Sequence, residues 1–88
     1  MKILATEKFE KELKLILSKM LEQLDCKSVK NFKLYLDTIM LNIPTKLHKY
    51  KISPFFDDEK IKEIDYNGFK IFFYEDSLRK NIVLLSIA

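Results

Sequence analysis

Residues 64–74, Ile-Asp-Tyr-Asn-Gly-Phe-Lys-Ile-Phe-Phe-Tyr, carry the strongest fold signal in the chain. An Asn-Gly pair between two apolar-rich segments is typical of a tight β-hairpin, because a type I′ turn needs a positive φ at both central residues. Gly68 is the only glycine in the sequence, which fits this positional demand. We therefore predict antiparallel strands over residues 59–66 and 69–75, turning at Asn67-Gly68.

The two strands of this hairpin differ in their apolar pattern. In the second strand apolar residues occupy both alternating sets, which predicts a central position in a sheet. In the first strand Ile61 is out of phase with Ile64 and Tyr66, and a β-bulge near Lys62-Glu63 would reconcile them. After a polar turn, residues 81–87 (Asn-Ile-Val-Leu-Leu-Ser-Ile) predict a last strand that is buried on both faces.

The first half of the chain has helical periodicity. Residues 2–5 are a candidate first strand, and Thr6 can then cap a helix by accepting from a free backbone N–H. Asp25 or Ser28 can cap a second helix, which Pro44 ends because a proline excludes the preceding residue from the helical region. Apolar residues recur at spacings of three and four in both segments: Phe9, Leu13, Ile16, Leu17, Met20, Leu21 and Leu24, then Val29, Phe32, Leu36, Ile39, Met40 and Ile43.

Residues 44–58 contain both prolines and read as a loop. A loop of this length is long for a compact domain, and long loops are often functional. Leu47, Ile52, Phe55 and Phe56 are expected to tie it to the core. Together these segments predict a single α+β domain over residues 1–88, with an N-terminal strand, a helical hairpin and a three-stranded antiparallel meander.

The composition excludes several classes of protein. The chain is 48% hydrophobic and 33% charged, which is typical of a globular domain rather than a disordered segment. No apolar run approaches the roughly 20 residues of a membrane span. The N-terminal residues lead into charged ones and contain no signal-peptide core. We therefore expect a cytoplasmic protein that does not contact a membrane.

The net charge of +3 arises from an uneven distribution. A central basic region precedes an acidic stretch, an arrangement that suits an oppositely charged partner but also occurs on ordinary solvated surfaces. The basic region contains Lys27, Lys30, Lys33, Lys46, Lys49 and Lys51, and the acidic stretch contains Asp57, Asp58, Glu59, Glu63 and Asp65.

The usual catalytic and cofactor motifs are mostly missing from the sequence. One glycine cannot form a phosphate-binding loop, and we expect no cofactor. Cys26 and His48 are the only cysteine and histidine, so no metal site is predicted. Cys26 is interpreted as a reduced, partly buried thiol; a nucleophilic role would need His48 as base and a third, orienting group.

Lysines on the hairpin are the better functional candidates. Without a bulge, Lys60 and Lys62 would project to one face, and Lys70 could lie opposite them on the neighbouring strand. Three lysines on one face would repel each other unless they met an anion. Alternatively, they are solvated and pair with Glu63, Asp65 or Glu75. Among the tyrosines, we expect Tyr35 and Tyr74 in the core and Tyr66 at the surface. The loop adds four more candidates for binding a target or RNA, namely Lys46, His48, Lys49 and Lys51.

The order of predicted elements resembles that of the RelE/ParE toxin superfamily of type II toxin–antitoxin systems. Residues 55–64 are similar to the segment in which many members enter their second strand with a basic, an acidic and an apolar residue. Residues 68–76 resemble the glycine–aromatic–basic–apolar third strand of the family, and residues 81–87 resemble its last strand. The resemblance covers the whole chain by topology and residues 53–88 by motif.

The resemblance implies a growth-inhibiting toxin that a cognate antitoxin neutralises. Members of the family either cleave ribosome-bound mRNA or inhibit DNA gyrase. In the nuclease branch, basic residues on the second and third strands orient phosphates, and Lys60 or Lys62 together with Lys70 match those positions in type. Nuclease members usually carry a tyrosine or histidine just after the last strand, where this sequence has Ala88. We therefore expect action by binding a target such as gyrase, with an mRNA endonuclease and a non-catalytic interaction module as alternatives.

Overall fold

The computed structural model describes residues 2–88, within which the chain forms two α-helices and five strands. In chain order these are β1 (Lys2–Ala5), α1 (Glu7–Gln23), α2 (Cys26–Asn42), β2 (Lys51–Ile52), β3 (Ile61–Tyr66), β4 (Phe69–Asp76) and β5 (Asn81–Ile87). Short 3-10 turns at Ile43–Thr45 and Leu47–Lys49 connect α2 to β2. The predicted α+β class is confirmed.

The five strands form one sheet in the order β1-β5-β4-β3-β2. β1 runs parallel to β5, and every other pair of neighbouring strands is antiparallel. β4 is central, as predicted. The prediction that residues 44–58 form a loop is wrong in part, because the two 3-10 turns reverse the chain and lay Lys51 and Ile52 beside Glu63 and Lys62 of β3.

The turn between β3 and β4 has the predicted backbone conformation. The φ angles of Asn67 and Gly68 are 48° and 84°, so both central residues lie in the left-handed region. A Cβ atom added to Gly68 would meet nothing within 4 Å. Gly68 is therefore needed for its backbone freedom and not because of a close neighbour.

The predicted bulge near Lys62-Glu63 is wrong. Pairing between β3 and β4 is continuous from Ile61 to Tyr66, and Ile61 belongs to the opposite face from Ile64. The irregularity lies instead between β4 and β5, where Phe72 pairs with Ser86 but Phe73 pairs with Leu84. The extra residue in β5 allows Leu84 and Ile87 to reach the same buried face although they are three residues apart.

A polar side chain caps the N-terminus of each helix. The Thr6 hydroxyl accepts from Phe9 N–H at 3.1 Å and donates to the Leu85 carbonyl at 3.0 Å, which ties the start of α1 to β5. Asp25, one of the two predicted caps of α2, accepts from Ser28 N–H at 2.8 Å. The second helix ends before Pro44, as predicted, and the proline lies in the first 3-10 turn.

The two helices pack on one face of the sheet. This face contributes apolar side chains from β3, β4 and β5, and the helices contribute most of the apolar stripes expected from their periodicity. Leu21 and Leu24, predicted in the first stripe, are 51% and 48% exposed. The resulting core contains Phe9, Leu13, Phe32, Leu36, Ile43, Ile64, Ile71, Phe73, Ile82, Leu84 and Ile87. In the part of the chain that the structure describes, no helix is long and apolar enough to span a membrane.

Several side chains lie in different environments from those expected. Tyr35 was predicted in the core, but α2 turns it outward and it is 67% exposed. Tyr66, predicted at the surface, is half-buried because its hydroxyl donates to the Phe32 carbonyl at 2.9 Å. Tyr74 is half-buried, and Cys26, predicted to be partly buried, is exposed at the first residue of α2.

Candidate functional site

The face of the sheet that does not carry the hydrophobic core brings together several polar residues. Cross-strand pairing places Lys51, Glu63, Phe72 and Ser86 in one row across β2, β3, β4 and β5. Because paired residues project to the same side of a sheet, these four side chains share one face. We call this face, with the segment 53–58 that packs on it, the open face.

A buried carboxylate lies at the centre of the open face. The Glu63 side chain is fully buried, and its Oε2 atom accepts from the Lys70 ammonium at 2.8 Å and lies 3.3 Å from that of Lys51. Lys70 also donates to Asp65, its direct cross-strand neighbour, at 2.8 Å. The Oε1 atom of Glu63 has no hydrogen-bond partner. Lys70 is therefore bound between two carboxylates.

These contacts shift the pKa values of Glu63 and Lys70. The hydrogen bond from Lys70 lowers the pKa of Glu63 below its ordinary value of 4.5, against the opposing effect of burial. The hydrogen bonds to Asp65 and then to Glu63 raise the pKa of Lys70 above its ordinary 10.5. Both shifts favour the charged forms, so Glu63 and Lys70 form an ion pair near neutral pH.

The lowered pKa of Glu63 predicts a loss of stability in acid. A carboxyl group that binds its proton more weakly in the folded chain stabilises the fold above its unfolded pKa, and this contribution disappears as the pH falls through the folded pKa. Between about pH 6 and about pH 3, the thermal unfolding midpoint of the natural chain is expected to fall further than that of Glu63→Gln, which cannot titrate. Parallel curves for the two proteins would contradict the role of Glu63.

Two adjacent phenylalanines cover part of the open face. Phe55 and Phe56 meet the ring of Phe72 edge-on, with centroids 6.1 and 5.2 Å apart. The prediction that both residues tie the loop to the core is wrong, since Phe55 is 68% exposed and Phe56 is 38% exposed. The Lys70 ammonium lies 6.0 Å from the centroid of Phe55. The segment thus presents an aromatic surface beside the ionic network, an arrangement typical of binding hot spots.

A cavity of about 400 Å³ lies between this aromatic surface and α1. Ser86 and Glu12 line it together, and the Ser86 hydroxyl donates to the Glu12 carboxylate at 2.7 Å. Lys8 of α1 and Lys70 of β4 also line the cavity. It therefore offers apolar contact from the phenylalanines and both signs of charge, which suits a mixed protein surface better than a purely anionic ligand.

A separate group of basic residues lies where β3 begins. The Lys62 ammonium donates to the Leu47 carbonyl at 2.7 Å and thereby holds the second 3-10 turn beside β3. Leu47, Lys60 and Lys62 line one cleft of about 410 Å³. We call this region the basic end and define it as Lys46, His48, Lys49, Lys60 and Lys62.

The structure separates the seven candidate residues into two groups. Lys62 pairs with Phe73 and belongs to the helix side of the sheet, whereas Lys70 pairs with Asp65 and belongs to the open face. The idea that Lys62 and Lys70 share a face is therefore wrong, because the β3–β4 register gives them opposite orientations. Lys51 joins Lys70 on the open face through Glu63, and the remaining five form the basic end.

The sequence indicated the open face only in part. The alternative that hairpin lysines pair with Glu63, Asp65 or Glu75 is confirmed for Lys70, which binds Glu63 and Asp65. Phe55 and Phe56 were expected only as anchors of a loop. Two consecutive phenylalanines between Pro54 and three acidic residues were a usable signal of an exposed aromatic surface. No local sequence pattern predicts the hydrogen bond between Ser86 and Glu12, which are 74 residues apart.

The described residues, 2–88, include no group of three or more His, Cys, Asp or Glu side chains placed to hold a metal ion. No protein-family model matches the chain, and no curated protein matches it.

Proposed function

We propose that the chain is a RelE/ParE-like toxin of a type II toxin–antitoxin pair, which acts in the cytoplasm by binding a target such as DNA gyrase and is neutralised by a cognate antitoxin. The resemblance of residues 53–88 to that family motivates the proposal. The order strand, helix, helix, sheet supports it.

The state of Lys70 is the observation that favours binding over cleavage. Its ammonium is bound by Glu63 and Asp65, both at 2.8 Å, so it is not free to hold a phosphate. A nuclease site that uses Lys62 and Lys70 together would need both on one face, whereas the register places them on opposite faces. The mRNA endonuclease is therefore the weaker alternative.

The open face is the surface that we assign to the target. Its exposed Phe55 ring, the Phe56 and Phe72 rings behind it and the adjacent ion pairs combine apolar area with fixed charges. Interfaces draw most of their binding energy from a few such aromatic anchors surrounded by polar contacts. A target protein with an apolar pocket rimmed by charged groups would complement this surface.

Controlled expression in a bacterial host tests the proposal. Induction is expected to stop growth, and coexpression of the product of the neighbouring gene is expected to restore it and to yield a complex that copurifies with the chain. Purified chain should then inhibit DNA supercoiling by gyrase in vitro. Normal growth on induction, together with no binding by the neighbour's product, would reject the toxin class.

Two further readouts separate the alternatives. Codon-positioned cuts in translated mRNA, detected by primer extension, would establish the endonuclease instead, provided that Lys62→Ala or Lys70→Ala weakens them. Binding of the neighbour's product without any growth effect would identify an interaction module that has kept only antitoxin recognition.

A further inference from the structure

We propose that the basic end binds the phosphodiester backbone of duplex DNA without selecting a base sequence. The inference concerns Lys46, His48, Lys49, Lys60 and Lys62, none of which belongs to the open face. It does not depend on growth inhibition, because the purified chain alone is sufficient to test it.

Tertiary structure creates this cluster from two separate parts of the sequence. Lys46, His48 and Lys49 surround Leu47, whose carbonyl accepts from Lys62 at 2.7 Å across 15 residues of sequence. Lys60 lines the same cleft as Leu47 and Lys62. The backbone of residues 46–49 therefore lies beside Lys60 and Lys62, where β3 begins.

The lysines of this cluster make no ion pair. Within residues 2–88, the ammonium groups of Lys11, Lys33, Lys51 and Lys70 lie within 4.0 Å of a carboxylate, whereas those of Lys46, Lys49, Lys60 and Lys62 do not. The hydrogen bond from Lys62 goes to a neutral carbonyl. Residues 38–56 contain no Asp or Glu, so the charges of Lys46 and Lys49 are not offset by sequence neighbours and favour a polyanion.

The kind of side chain at the basic end favours a duplex over a single strand. Proteins that bind single strands generally add exposed aromatic rings on which bases stack. Here the aromatic ring that lines the cleft, Tyr74, is half-buried. The exposed rings of Tyr35, Phe55 and Phe56 lie on α2 and on the open face. Lysines without such a platform contact phosphates and do not read bases.

Carboxylates set the boundary of the proposed surface. Glu75 and Asp76 line the far wall of the same cleft, and Asp57, Asp58 and Glu59 precede Lys60. Asp76 is partly compensated by Arg79, which lies 3.9 Å away. The DNA backbone is therefore expected to contact the 3-10 turn and the ammonium groups of Lys60 and Lys62, without entering the cleft.

Salt dependence supplies a quantitative expectation. Each phosphate that a lysine neutralises contributes a slope of about −0.9 to the plot of log binding constant against log salt concentration. Contacts from all four lysines therefore predict a slope of about −3.6 for duplex DNA. Removing two of these lysines should reduce the slope by about two units and, relative to binding at 1 M salt, weaken binding by about two orders of magnitude at about 50 mM salt.

Fluorescence anisotropy with a labelled duplex of about 20 base pairs, titrated at several salt concentrations from about 50 mM, tests the inference. The variant is Lys46→Ala/Lys49→Ala, which changes two exposed residues. The matched control is Lys27→Ala/Lys30→Ala, which removes the same charge from exposed positions of α2. Lys60→Ala, at another exposed site, is a second variant and should reduce the slope by about one unit.

The expected result is a reduced slope in both basic-end variants and an unchanged slope in the control. Equal losses in the variant and control would show that only net charge matters and would overturn the inference. Undetectable duplex binding by the natural chain at the lowest salt would also overturn it, as would tighter binding of a single-stranded RNA of the same length. Growth inhibition that persists in Lys46→Ala/Lys49→Ala would leave the proposed toxin function standing on the open face alone.

Discussion

Replacing Phe55 with alanine is expected to remove most of the growth inhibition while leaving the chain folded. Phe55 is 68% exposed, so its side chain contributes little to the core, but it presents the outermost ring of the open face. Loss of a central aromatic anchor typically weakens an interface by about 2 kcal/mol or more, which corresponds to roughly thirtyfold in affinity. Growth after induction and gyrase inhibition by the purified variant would measure the effect.

Tyr35→Ala is the matched control for this prediction. Tyr35 is 67% exposed, nearly the same as Phe55, but it lies on α2, on the other side of the molecule from the open face. We expect this variant to inhibit growth as the natural chain does. Equal loss of activity in the two variants would show that exposed aromatic area in general matters, and full activity of Phe55→Ala would remove the open face from the target interface.

Replacing Phe73 with alanine is expected to cost about 3–5 kcal/mol of the free energy of unfolding. Phe73 is completely buried at the centre of the sheet, and its ring meets Tyr50 edge-on with centroids 5.6 Å apart. Alanine would leave a cavity that rigid neighbouring strands cannot close. Since domains are typically stable by about 5–15 kcal/mol in total, the variant is expected to lose much of its folded population.

Urea unfolding followed by circular dichroism would measure this cost as a fall in the transition midpoint. The control is Leu78→Ala, because Leu78 is 97% exposed in the turn between β4 and β5 and should change stability by less than about 0.5 kcal/mol. A loss below about 1 kcal/mol for Phe73→Ala would mean that the ring is not a principal element of the core.

The two proposed binding surfaces, the open face and the basic end, consist of different residues. The open face is assigned to a protein target and the basic end to a DNA backbone, and Lys62 and Lys70 belong to different surfaces. A chain that carries both could engage a protein while that protein holds DNA. The paired variants at Phe55 and at Lys46 and Lys49 separate the two contributions.

Local rules accounted for much of the fold. The Asn67-Gly68 turn follows from the positive φ that two residues must adopt, and both do so. The last strand spans Asn81–Ile87, as its apolar run predicted, and Thr6 and Asp25 cap the two helices. Each of these features depends on residues close in sequence, so the sequence contains the necessary information.

The candidate site depended on register and on contacts between distant residues. The period-2 pattern of β3 was ambiguous because Ile61 faces away from the core, and this ambiguity produced the wrong bulge. The wrong grouping of Lys62 with Lys70 was avoidable, because a two-residue turn at Asn67-Gly68 already pairs Lys70 with Asp65 and so puts Lys62 on the other face. The two-residue strand β2, which brings Lys51 to Glu63, is too short to carry a periodic signal.

By itself, therefore, the sequence determined the class of fold, the hairpin turn, the helix caps and the core stripes, because each follows from backbone preferences or from the spacing of neighbouring residues. Only the tertiary structure decided which lysines are paired and which are free. Lys70 is bound by Glu63 and Asp65, whereas Lys62 donates to the Leu47 carbonyl 15 residues away. The second contact depends on how the chain returns from α2 to β3, which no local pattern specifies. The Ser86–Glu12 contact joins residues 74 positions apart, and only the folded chain brings them together.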